Sequence, residues 1–65
     1  MGQRLAEGET RITDLPMGAT LEERMVLGIH FIDVKKKGKL AATVRVKDYT
    51  SWSGAFDAVM DKAGL

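Results

Sequence analysis

Residues 40 to 47 (LAATVRVK) alternate strictly, with Leu40, Ala42, Val44 and Val46 on one side and Ala41, Thr43, Arg45 and Lys47 on the other. Side chains repeat every second residue only in a β-strand, so this segment predicts a strand with one buried face. The run before it (MVLGIHFIDV, residues 25 to 34) is apolar on both parities. Its larger side chains lie at odd positions, which assigns Leu27, Ile29 and Phe31 to the core. Between the two runs lies a basic knot around Gly38, and the whole stretch from Met25 to Lys47 reads as a β-hairpin. Joining odd positions of one strand to even positions of the next needs a loop with an even number of residues. Lys37-Gly38 or Lys36 to Lys39 meets that condition, with Gly38 supplying the positive φ of the turn. Phe31 is then expected opposite Val44 and Ile29 opposite Val46. The other face collects His30, Thr43, Arg45 and Lys47, with Lys36 and Lys39 at the tip.

C-terminal to the hairpin, Trp52, Ala55, Phe56, Val59 and Ala63 recur at i, i+3, i+4, i+7 and i+11. That spacing is one face of an α-helix. Asp48 to Ser51 supplies capping residues before it, and Lys62 with Gly64 supplies a stop signal after it. On the N-terminal side, Thr10 to Leu15 (TRITDL) is a weaker strand candidate, closed by Pro16. Thr20-Leu21-Glu22-Glu23 fits a capping box, which predicts a helical turn from Leu21 to about Met25; backward extension of the strand is the alternative. Residues 1 to 9 read as a mobile tail, leaving one domain over residues 10 to 65. The expected class is α+β: a small antiparallel sheet of two strong strands, with a weak third N-terminal one, packed against one C-terminal amphipathic helix.

A chain of 65 residues buries only roughly 60% of its unfolded surface and is marginally stable on its own. It has no cysteine, hence neither a disulfide framework nor a thiolate metal site, which suits a reducing, cytoplasmic compartment. No apolar run approaches the ~20 residues that span a bilayer. The first residues show no secretory apolar segment, and Ala6 stands where myristoylation wants Ser or Thr. No membrane association is expected.

The net charge of +1 conceals a strong segregation. Residues 1 to 34 carry three basic and six acidic side chains, residues 35 to 47 six basic and none acidic, and residues 48 to 65 one basic and three acidic. Lysines around a hairpin turn commonly serve only to keep a sheet edge soluble. Here the charge continues along the strand through Arg45 and Lys47, and two-stranded ribbons are among the elements that enter a DNA groove. The candidate nucleic-acid-binding residues are therefore Lys35, Lys36, Lys37, Lys39, Arg45 and Lys47, with His30 and Tyr49 beside them.

His30 is the sole histidine, and a metal site around it lacks further ligands. Trp52 and Phe56 sit at core spacing. Glu22, Glu23 and Asp33 form no acid/base pair, and neither a catalytic motif nor a cofactor motif stands out. The leading expectation is a non-enzymatic module that binds nucleic acid, duplex DNA before single strands. The alternative is an inhibitor or adaptor that contacts an acidic surface or sheet edge of a partner protein. The apolar side chains left outside the helix contact (Val26, Ile32 and Val34) predict a homodimer, with Ile32→Asp dissociating or unfolding it.

The spacing of Gly28-Ile29, Gly38-Lys39, Val44-Arg45-Val46 and Ser53-Gly54-Ala55-Phe56-Asp57 resembles that of the arm-binding domains of phage integrases. Those pack a three-stranded sheet on a helix, and the resemblance implies DNA read by the sheet. It covers a handful of glycines and apolar positions, and it makes Trp52 to Phe56 a strand, against the helical periodicity.

Overall fold

The computed structural model describes residues 5–65. The chain runs through β1 (Thr10–Asp14), β2 (Ala19–Val26), β3 (Ile29–Lys36), β4 (Lys39–Arg45) and α1 (Trp52–Lys62). The strands form one antiparallel sheet in the order β1-β2-β3-β4, and α1 packs across β3 and β4. This is the expected α+β class, with four strands rather than two or three. No helix among the described residues is long and apolar enough to cross a membrane.

The additional strand comes from the segment 19–26, where a helical turn was the first expectation. The strand alternative holds: Ala19, Leu21, Glu23 and Met25 are all buried, the period of a pleated strand. The chain reverses at Leu27-Gly28, so the long apolar run is two strands and a turn. Both turn residues have positive φ, at 52° and 76°, as in a type I′ hairpin, and Lys37-Gly38 repeats the arrangement at 53° and 80°. Leu27 is not a usual residue there. A side chain with a Cβ in this left-handed region costs about 1–2 kcal/mol, and here it is also 87% exposed.

The predicted core parity is reversed. Ile32 and Val34 have no exposed surface and face α1, whereas Ile29 and Phe31 lie half-buried on the opposite face and Leu27 is in the turn. Ile32 faces Val44 and Val34 faces Ala42, in place of the expected Phe31–Val44 and Ile29–Val46 pairs. A β-bulge explains the reversal. Lys36 pairs with Lys39 and Lys35 with Leu40, but Val34 pairs with Ala42, so Ala41 is an extra residue. It absorbs the one-residue shift, allowing a two-residue loop to join even positions to even positions. The same shift moves Leu40 onto the uncovered face, where it is largely exposed.

The core joins Leu21, Ile32, Val34 and Val44 of the sheet to Ala55, Val59 and Ala63 of α1, with Leu15, Val46, Tyr49, Trp52, Phe56 and Met60 packed around them. Complete burial of Ile32, Val34 and Val59 stabilises by about 1.5–3 kcal/mol per side chain. The Ser51 hydroxyl accepts from the Gly54 amide at 3.1 Å, capping the start of α1. At the other end Gly64 has φ +78°, and the amides of Gly64 and Leu65 donate to the carbonyls of Asp61 and Met60, a Schellman stop.

Of the segment read as a tail, residues 1–4 lie outside the described residues. Leu5 is buried, and Glu9 continues the pairing of β1 by accepting from the Met25 amide. The Glu7 carboxylate accepts from the amides of Leu27 at 2.6 Å and Gly28 at 2.9 Å, clamping the β2–β3 turn.

Candidate nucleic-acid interface

The bulge that settles the core also settles where each candidate cation goes. Thr43 and Arg45 lie on the face away from α1, level with Asp33 and Phe31, as does Lys35 beside Leu40. His30 has the parity of Ile32 and points to the helix side, so the expected grouping of His30 with Thr43, Arg45 and Lys47 does not form. Tyr49 packs half-buried against the core.

Three of the six candidate cations are already engaged. Lys35 Nζ lies 3.2 Å from Glu22 Oε2, and the Arg45 guanidinium lies 3.1 Å from Asp48 Oδ2. Lys36 Nζ donates to the Ala63 carbonyl at 2.8 Å, fixing the hairpin tip beside the end of α1, where the helix dipole favours a cation. Lys37, Lys39 and Lys47 are exposed, and among the described residues no carboxylate lies within ion-pair distance of them. Lys37 and Lys39 flank Gly38 at the tip, and Lys62 in the last turn of α1 is at the same end of the molecule.

On the uncovered face, Asp33 is buried and accepts from Arg24 Nε at 2.9 Å and from the Thr43 hydroxyl. The Arg24 guanidinium also stacks over Phe31, 4.9 Å from the ring centre. Around these pairs stand the exposed side chains of Ile12, Val26 and Leu40. Arg24, Lys35 and Arg45 are balanced here by Asp14, Glu22 and Asp33, and this face carries no positive excess.

The helix side holds a second polar cluster that sequence reasoning missed. Glu23 is only 2% exposed and sits among core positions. Its Oε1 accepts from Arg11 Nη2 at 2.9 Å, His30 Nε2 at 3.0 Å and Trp52 Nε1 at 2.8 Å, and its Oε2 accepts from Arg11 Nε at 3.1 Å. Burial by itself raises the pKa of this carboxyl. The hydrogen bonds from Arg11 and Trp52, with the charges of Arg11 and His30, outweigh that and hold it below the ordinary value. The hydrogen bond to Glu23 in turn raises the pKa of Arg11. Trp52 stacks on Phe56 with ring centres 5.0 Å apart, so the cluster ties β1, β2 and β3 to the first turn of the helix. One signal was legible: Glu23 interrupts the alternation Ala19-Leu21-Glu23-Met25 at a core position, and a charge there demands partners.

Among the described residues no three His, Cys, Asp or Glu side chains converge in a way that could hold a metal ion. Comparison with protein-family models, curated proteins and solved structures gives no match to this chain.

Proposed function

We propose that this α+β chain is a non-enzymatic nucleic-acid-binding module, duplex DNA before single strands, that engages phosphates through the tip of the β3–β4 hairpin. The observation that carries the reading is the uncompensated charge of Lys37 and Lys39 at the turn of the β3–β4 hairpin, one end of the four-stranded sheet, with Lys47 beyond the hairpin's other end. The engaged cations contribute less, because each must give up a partner within the chain to reach a phosphate. A tight type I′ turn held against α1 by Lys36 leaves the turn backbone little conformational freedom to lose, which favours binding.

The experiment is a fluorescence-anisotropy titration of labelled duplex at several salt concentrations. Three phosphate contacts give a log–log salt slope of roughly −3 on B-DNA. Lys37→Glu with Lys39→Glu abolishes binding without unfolding the chain. Absence of binding at low salt refutes the reading, and a preference for single strands moves the contact to the Phe31 side of the sheet.

A second reading, a module that binds a partner protein, is favoured by the uncovered sheet face. There Ile12, Val26 and Leu40 surround ion pairs that are already neutralised, a composition closer to a protein interface than to a phosphate-binding surface.

A further inference from the structure

The two edges of the sheet are built differently. β4 carries the bulge at Ala41 and the cations Lys39 and Arg45, devices that blunt an edge against pairing. β1 has no bulge in its pairing with β2 and no proline or lysine, and four of its five residues are exposed. Its backbone direction follows from two bonds: the Glu9 carbonyl accepts from Met25, and the Leu15 amide donates to Ala19. Odd residues of this strand therefore bond β2, and the amides and carbonyls of Thr10, Ile12 and Asp14 point outward. Among the described residues none bonds them.

We propose that β1 is a self-association edge that pairs antiparallel with β1 of a second copy, with Ile12 on the two-fold axis. The sequence T-R-I-T-D is complementary to itself in that register. Ile12 meets Ile12 of the partner subunit, and the Thr10 hydroxyl meets the partner subunit's Asp14 carboxylate, twice by symmetry. Arg11 falls opposite the partner's Thr13, and its charge is held by its own Glu23 at 2.9 Å, so no like charges face each other. The three outward positions on each copy give about six backbone hydrogen bonds. At β4 the bulge interrupts the regular ladder that such a pairing needs.

The two-fold axis stands normal to the sheet, so the dimer is one eight-stranded sheet with both helices on one side and both uncovered faces on the other. This replaces the interface expected from sequence through Val26, Ile32 and Val34: Ile32 and Val34 are buried within a single chain and offer no surface. Five residues make a small interface, at the low end of the size classes where association is typically weak.

The test is sedimentation equilibrium from about 10 μM to about 1 mM, a range chosen for an interface of this size. The chain should pass from monomer to dimer across it. Ile12→Pro removes only outward amides, so the monomer keeps its fold by circular dichroism while association weakens on the order of 30-fold or more. Should Ile12→Pro fail to fold, Thr10→Asp sets two carboxylates face to face and dissociates a folded protein. Under mild oxidation Ile12→Cys cross-links and Leu40→Cys does not. A folded wild-type monomer at 1 mM overturns the proposal, and so does a dimer that Ile12→Pro or Thr10→Asp leaves intact.

Discussion

Each face of the sheet is centred on a buried carboxylate, and the two are built for different purposes. Glu23 on the helix side takes all of its partners from other elements: Arg11 from β1, His30 from β3 and Trp52 from α1. Asp33 on the uncovered side takes Arg24 and Thr43 from the two strands flanking it. The first arrangement ties the layers together, joining β1, β2 and β3 to Trp52 at the start of α1. The second smooths a surface, leaving apolar side chains among neutralised charges. Burial follows the same division, with Ile32 fully enclosed and Ile12 62% exposed. The fully enclosed side chains therefore lie on the α1 side of the sheet.

The largest test of this contrast is Ile32→Asp. An unpaired charge in the centre of so small a core should leave the chain unfolded by circular dichroism at 25 °C. Next is Glu23→Ala, which strands three donors at once. Because Arg11 retains some access to water, the loss should be about 2–3 kcal/mol in urea unfolding, with a shift in Trp52 fluorescence.

Acid should act through the same group. The folded pKa of Glu23 is lowered, so its contribution to stability is complete above the unfolded carboxyl pKa and is lost as the pH falls through the lower, folded value. Arg11, His30 and Trp52 are the groups that face it. Urea unfolding across the acidic range should show a decline that Glu23→Gln makes shallower.

The turns offer a smaller effect of opposite sign. Leu27→Asn replaces an exposed, strained leucine with the residue that a type I′ turn prefers, and should stabilise by about 0.5–1 kcal/mol. Smallest of all, Ile12→Thr on the uncovered face should change monomer stability by less than about 0.5 kcal/mol.

The helix was readable because its signals agree. The spacing from Trp52 to Ala63, the Ser51 cap and the Gly64 stop all describe one object, and it forms as read. The turn at Gly38 was also read, with Lys37-Gly38 as one of the two loops that parity allows. Three features were not. Leucine before glycine at 27-28 is not a turn signature, so two strands read as one. Ala41 gives no sign that it is an extra residue, and without the bulge a strict two-residue alternation inverts the core. Glu23 fitted a capping box from its neighbours in sequence alone, while its real partners stand 12, 7 and 29 residues away. The candidate cations were likewise identifiable by type but not by state, since Glu22 quenches Lys35 through a cross-strand pairing set by the register and Asp48 quenches Arg45 through the i,i+3 turn that ends β4.

In the proposed function the hairpin tip binds and the helix side only supports it. Amide chemical-shift mapping by NMR tests this most directly, on ¹⁵N-labelled protein titrated with a short DNA duplex at low salt. Binding at the tip should give shifts concentrated at Lys36 to Lys39 and at Lys47, with Ile32, Val34, Ala55 and Val59 unmoved. Shifts centred on α1, or none at all at saturating duplex, would contradict it.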